Sequence, residues 1–206
     1  MFDRDWLIPA RHSFTFQFFN PTMQHEFTLR RIRRWTLFVM VGLFLSGATA
    51  IPLVTELDWL VKLTGARQLV ETPAATHAPE WATWLVNVNR ALQETSEEHP
   101  ILFYGTDWLA FGHFVIAIAF IGALRDPVRN AWLYDFGLIA CVLVIPFALV
   151  SGAVRGIPFW WRLIDCSFGV FGFIPLWFCR KWTWEIESAA RGRSGTSKSS
   201  TADRQG

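Results

Sequence analysis

Charged residues are scarce in this chain of 206 residues. They make up 17% of it, whereas about a quarter is usual for a soluble domain. Apolar residues make up 52%, and the formal net charge is only +2. No strongly basic surface is present to attract a polyanion, so nucleic acid is not a predicted partner. The length favours a single domain.

The three cysteines do not form a redox motif. Cys141, Cys166 and Cys179 all lie in hydrophobic segments, and no two make a C-x-x-C. Along a continuous helix the last two would be about 20 Å apart, which is too far for a disulfide. Small apolar packing residues are the simplest interpretation, and this argues against a thiol-redox membrane enzyme.

Several common site patterns are also missing. The chain contains no phosphate loop, nucleophile elbow, zinc signature or dinucleotide fingerprint. It has no internal repeat, which argues against an inverted-repeat transporter. A haem held by two histidines needs a second buried histidine beside His113, and the others lie outside the hydrophobic segments, at His12, His25, His77 and His99. No cofactor or metal is therefore predicted.

Four hydrophobic segments are present instead, at about 35–54, 102–124, 131–154 and 159–179. A membrane-spanning helix needs about 20 residues, and each segment supplies them. The predicted fold is an all-α, four-helix transmembrane bundle within residues 35–182. Residues 1–34 form a basic, aromatic-rich leader, and residues 183–206 are too polar to bury a core and are predicted to be disordered.

The start of the chain allows a second interpretation. The basic stretch Arg30 to Arg34, the apolar run after it and Ala48-Thr49-Ala50 resemble a cleavable signal peptide. The long leader before the arginines and the three later hydrophobic segments argue against cleavage.

The long connection at 55–101 does not span. Residues 57–70 and 80–94 have the spacing of short amphipathic helices, which predicts one or two interfacial helices that cap the bundle. This connection carries three basic and seven acidic side chains, whereas the leader carries six basic and three acidic ones. Because lysine and arginine are retained on the cytoplasmic side, both termini are predicted to be cytoplasmic and the cap to be outside.

Seven ionisable residues are predicted to lie toward the outer face, and they are the candidate ligand-binding residues. A charge near hydrocarbon usually has a partner or a task. The seven are Glu56, Asp58, Asp107, His113, Arg155, Arg162 and Asp165.

Three of them suggest a hairpin lock. Arg162 and Asp165 are three residues apart, so they share a helix face and can pair, and Arg155 lies just across the short loop. The alternative is an anion site made by the two arginines. Asp135 is predicted to pair with Arg125 or Arg129 at the opposite face.

The other candidates allow more chemistry. Asp107 fits a helix cap, and His113 fits a hydrogen bond between helices. Both are also the only candidate catalytic residues, as acid–base groups. Together with Glu56, Asp58 and Asp165 they could form a carboxylate-rich pocket at the outer end of the bundle. Such a pocket could accept a cation or act in acid–base chemistry.

Three strings support a resemblance. GTDWLAFGHFVIAIAFIG, LRDPVRN and RGIPFWWRLIDCSFGVFGFIPLW resemble a family of small bacterial integral membrane proteins, over residues 36–177. The resemblance implies a bacterial inner-membrane location and carries over no catalytic residue. The layout is also similar to that of four-helix sterol-isomerase-like proteins, although no motif of theirs matches residue by residue.

The leading hypothesis is a protein that binds a lipid or small amphiphile in an outer-side polar pocket, or that acts as an accessory membrane subunit. A membrane-embedded enzyme using Asp107 and His113 is the alternative. A proton or cation pathway is the third, and the lack of polar residues in the inner half of the segments argues against it.

Overall fold

The structure is a computed structural model. It describes the backbone of residues 21–72 and 78–202, and the side chains of residues 23–72 and 78–192. Every secondary-structure element in these residues is a helix, which confirms the predicted all-α class. The aromatic leader up to residue 20 and the loop at 73–77 lie outside the described residues.

Seven α-helices and one short 3-10 turn follow one another along the described chain. They are α1 (Pro21–Ala50), α2 (Leu53–Thr64), α3 (Ala66–Glu71), α4 (Glu80–Glu98), the turn Pro100–Leu102, α5 (Phe103–Arg125), α6 (Trp132–Val154) and α7 (Phe159–Ala202).

Three described helices are long and apolar enough to cross a membrane, namely α5, α6 and α7. A fourth span is present if α1 and α2 are counted together, and these two helices are bent by 91° at Ile51 and Pro52. The bend lets α2 leave the axis of α1 and lie across the end of the long helices. Three to four spans agree with the multi-pass membrane character that the hydrophobic segments predict.

The long helices pack in an order that differs from their order in the chain. Helix α1 contacts both α5 and α7, and α7 contacts α6, whereas α5 and α6 touch only sparingly. The spatial order is therefore α5, α1, α7, α6.

The two ends of the four packed long helices differ. One end carries Arg30 to Arg34, the turn at 126–131 and Arg180, and is called the arginine face. The opposite end carries α2, α3 and α4 and is called the cap face.

The main core lies toward the arginine face. All four long helices contribute to it, through Ile32, Phe120, Ala123, Leu133, Tyr134, Leu176 and Cys179. Buried hydroxyl groups join α1 to α6 there. Thr36 Oγ1 lies 2.9 Å from the Ile32 carbonyl oxygen and 2.7 Å from Tyr134 Oη, and neither Thr36 nor Tyr134 is exposed.

The cap has a small core of its own. Leu57 and Val61 from α2 and Ala66 from α3 pack against Leu85 and Val86 from α4. The predicted amphipathic helices are confirmed, with a break at Gly65, whose φ of 66° is the left-handed conformation that glycine adopts readily. The apolar face of α4 packs in this core through Leu85, with Trp84, Val88 and Leu92 partly buried against it. Trp81, on the edge of that face, is 37% exposed.

Both ends of the chain are more helical than the sequence predicted. Helix α1 begins at Pro21, so residues 21–34 of the expected leader continue directly into the first hydrophobic segment. Helix α7 continues to Ala202, through most of the tail for which disorder was expected.

Small residues on the long helices are expected to let helices approach closely, and some of them do. A Cβ added at Gly47 would lie 2.9 Å from the Ala110 carbonyl oxygen, and one added at Gly169 would lie 2.5 Å from the Cys141 carbonyl oxygen. At Gly42 and Gly112, by contrast, nothing lies within 4 Å of an added Cβ.

Candidate functional site

The predicted carboxylate pocket is dispersed in the structure. Glu56 lies exposed in the first turn of α2, where its negative charge interacts favourably with the helix dipole. Asp58 pairs with Lys62 one turn further along, at 2.6 Å. Within the described residues, no group of three or more histidine, cysteine or acidic side chains is arranged to hold a metal ion.

Arg162 does lock the α6–α7 hairpin, but not through Asp165. Its Nη1 donates to the Leu149 carbonyl oxygen of α6 at 3.3 Å, and its guanidinium lies 5.4 Å from the centre of the Phe159 ring. The side chain fits against Gly152, where an added Cβ would lie 2.5 Å from Arg162 Cδ. The expected pairing with Asp165 is therefore wrong: the missing side chain at Gly152 gives the arginine a path to a backbone carbonyl.

The other two members of the expected lock stand apart from this contact. Arg155 is exposed just after α6, and Asp165 is half-buried on α7. No ion pair joins either of them to another side chain in residues 23–72 and 78–192. The Nε of Arg162 is buried and has no hydrogen-bond partner there either.

Asp107 and His113 have separate surroundings on α5. The helix begins at Phe103, preceded by Leu102 without a side-chain cap, so the expectation that Asp107 caps it is wrong. Asp107 is exposed. His113 is half-buried beside Gly47 of α1, and its Nδ1 lies 2.8 Å from the Leu109 carbonyl oxygen of its own helix. This hydrogen bond of His113 is thus within α5, one turn back, rather than between helices.

The ion pair at the arginine face has a different partner from the predicted one. Asp135 Oδ1 accepts from Arg180 Nε at 2.7 Å, which joins α6 to α7. Arg125 and Arg129 were the expected partners, because they lie close in the sequence. Helix packing brings Arg180 closer, while the Arg125 carbonyl accepts a bond from Arg33 of α1 at 3.3 Å.

An open cleft between the cap and α7 is the candidate site on the cap face. Its volume is about 450 Å³, and it is lined by Glu80, Trp81, Leu85 and Trp160. A volume of this size suits a small ligand or one headgroup. Three of the four lining side chains are apolar or aromatic, and the fourth is the exposed carboxylate at the start of α4.

Aromatic contacts fix the wall of this cleft. Trp84 of α4 meets Trp160 edge-on, with ring centroids 5.4 Å apart, and lies 4.7 Å from Trp161. Trp160 and Trp161 are themselves 5.6 Å apart and nearly perpendicular. Trp161 also packs against the cap core, so the cap is held on the beginning of α7 by tryptophan.

The positions of these tryptophans are predictable from the sequence, but the contact of Trp84 with Trp160 and Trp161 is not. From the sequence, Trp160 and Trp161 fit an interfacial aromatic belt, and Trp81 and Trp84 fit one face of an amphipathic helix. Both predictions place the residues at the outer membrane interface. That shared location is the sequence signal that could have indicated the contact. The tertiary contact follows from the position of α4, which local periodicity does not determine.

No protein-family model, curated protein or solved structure matches this chain.

Proposed function

We propose that the chain is a four-span protein of the bacterial inner membrane that binds a lipid or small amphiphile in the cleft between α4 and α7. The single observation that carries this function is the cleft itself, with its tryptophan walls and its carboxylate at the mouth. Three to four helices long and apolar enough to span support the membrane location, and the bent pair α1 and α2 is the proposed fourth span.

The chemistry of the lining favours a positively charged head. Indole faces attract ammonium groups through their quadrupole, and a quaternary or primary ammonium is the usual ligand of such aromatic sites. Glu80 adds a negative charge beside Trp81 and Trp160. The tail of the amphiphile continues into the bilayer along the exposed apolar residues Phe159 and Leu163.

The charge distribution supports the cap face as the outer one. The connection that forms the cap is acidic, whereas the arginine face carries the basic leader, the turn near Arg125 and Arg129, and Arg180. On this basis both termini are cytoplasmic and the cleft opens toward the outer leaflet.

Native mass spectrometry of the purified protein tests the proposal. Phosphatidylethanolamine and phosphatidylglycerol are titrated separately into protein held in a maltoside detergent. We expect retention of the ethanolamine lipid, but not of the glycerol lipid, to depend on the cleft residues, because its ammonium group meets the two tryptophans and the carboxylate. Glu80→Gln and Trp160→Ala should each weaken retention by about tenfold, the size of a partly desolvated cation–π or charge contact.

Two variants provide matched controls. Glu94→Gln removes the same charge from an exposed position later in α4, and Trp59→Ala removes an indole that is 64% exposed on α2. Both should bind as the unsubstituted protein does. Equal retention by the cleft variants and the controls would refute binding at this site.

A further inference from the structure

A second groove lies on the arginine face, on the outside of α1. It has a volume of about 480 Å³ and is lined by Arg31, Arg34, Trp35 and Phe38. The two arginines are three residues apart and Trp35 and Phe38 continue the same side of the helix, so all four project into one space. None of them contributes to the cap cleft.

Stacked aromatic rings support one side of this groove. The Arg31 guanidinium lies 4.4 Å from the centre of the Trp182 ring, and Trp182 stacks on Phe178 at 5.4 Å. Phe178 stacks in turn on Trp35, with centroids 6.5 Å apart. The column joins α1 to α7 and holds Arg31 in place, so less side-chain freedom is lost when a ligand binds.

The two guanidinium groups have no carboxylate partner in the part of the chain that the structure describes. The ion pairs there involve Lys62, Arg180 and Arg191 instead. Both Arg31 and Arg34 are exposed. Two exposed, unpaired guanidiniums that open onto one groove form a strong site for an anion with several oxygens, because each presents a planar fork of donors.

We propose that this groove binds the phosphate headgroup of an anionic phospholipid in the leaflet at the arginine face. Along α1, the charged, aromatic and apolar residues occur in the same order as the phosphate, glycerol and acyl groups of such a lipid. Arg31 and Arg34 meet the phosphate, Trp35 lies at the depth of the glycerol and ester groups, and Phe38 lies beside the acyl chain. Further along the same helix Val41 and Leu45 are 48% and 56% exposed, and they continue the apolar path.

Because the groove has a charged half and an apolar half, it favours a lipid over a free anion. Inorganic phosphate would use the two arginines and leave the aromatic half of the groove empty, whereas a phospholipid uses both halves. Interfacial tryptophan and basic residues near the headgroups are each favourable in this position. The site is independent of the cap cleft and has the opposite charge preference.

Native mass spectrometry in maltoside detergent, with dioleoyl phosphatidylglycerol and dioleoyl phosphatidylcholine as competing probes, tests the inference. The unsubstituted protein should retain phosphatidylglycerol at this site. Arg31→Gln with Arg34→Gln should weaken that retention by roughly thirtyfold, as expected for the loss of two basic contacts with an anionic lipid. Because Arg31 also stacks on Trp182, Arg34→Gln alone is included as a variant that leaves the aromatic column intact, and it should weaken retention by roughly fivefold.

The control is Arg30→Gln with Arg129→Gln, which removes the same charge from exposed positions on the same face outside the groove. It should retain phosphatidylglycerol like the unsubstituted protein. The inference is overturned if the control loses as much as the groove variants, since that shows general surface attraction. It is also overturned if neither groove variant loses retention, or if millimolar inorganic phosphate displaces the lipid.

Discussion

The hydrogen bond between the buried hydroxyl groups of Thr36 and Tyr134 predicts unequal losses of stability when either residue is substituted. A threonine hydroxyl has a single hydrogen, and at 2.9 Å Thr36 donates it to the Ile32 carbonyl oxygen. At 2.7 Å the Tyr134 hydroxyl is therefore the donor to Thr36 Oγ1. The two side chains depend on each other unequally.

Removing the tyrosine hydroxyl is the milder change. In Tyr134→Phe, Thr36 keeps its bond to Ile32 and loses only an accepted bond, so the free energy of unfolding should fall by about 0.5–1.5 kcal/mol. In Thr36→Val, the Tyr134 hydroxyl loses the acceptor shown in the structure at a position with 0% exposure. Leaving a buried donor unpaired costs about 1–3 kcal/mol.

The double variant provides the sharpest measurement. With Thr36→Val and Tyr134→Phe combined, no buried hydroxyl of the pair remains, so stability should recover toward that of Tyr134→Phe. Equilibrium unfolding in mixed micelles with increasing dodecyl sulfate, followed by circular dichroism, gives all four free energies. If Thr36→Val is no worse than Tyr134→Phe, or if the two effects simply add, the assigned direction of the hydrogen bonds is refuted.

Four further substitutions give expected outcomes in the same unfolding assay. Gly169→Ala puts a Cβ 2.5 Å from a backbone carbonyl oxygen of α6 and should destabilise by about 1–3 kcal/mol, whereas Gly112→Ala meets nothing within 4 Å and should be neutral or slightly stabilising. An equal loss in both would contradict the close contact between α6 and α7. Asp135→Ala removes the partner of Arg180 and should lower the free energy of unfolding by up to about 1 kcal/mol. This loss of stability should shrink in high salt. A loss that persists in high salt would argue against an ion pair. Gly156→Ala, at a φ of 68°, should lower stability by about 1–2 kcal/mol, and an unchanged midpoint would show that the loop can relax.

The sequence predicted the elements of this fold well, because hydrophobic length and helical periodicity are local properties. The second and third segments end within one residue of α5 and α6. Even the amphipathic character of the cap was evident from apolar spacing. The start of α1 at Pro21 was missed, because the polar residues before Arg30 give no hydrophobic signal although they continue a helix.

The candidate site was predicted less well, because pairing between helices is not a local property. Asp135 was assigned to arginines near it in sequence, but helix packing provides Arg180. Arg162 was assigned to the nearest carboxylate on its own helix, but a glycine on α6 opens a route to the Leu149 carbonyl. In both cases the observed partner lies on a neighbouring helix, and only the order α5, α1, α7, α6 determines which residues meet.

That order also has a kinetic consequence. Helices α6 and α7 are joined by a four-residue connection, so their pairing closes a short loop and can form early. Helix α1 lies between α5 and α7, and both are synthesised after it. Helix α1 must therefore wait for α6 before Thr36 can bond to Tyr134. The main core is completed only when α7 supplies Leu176 and Cys179.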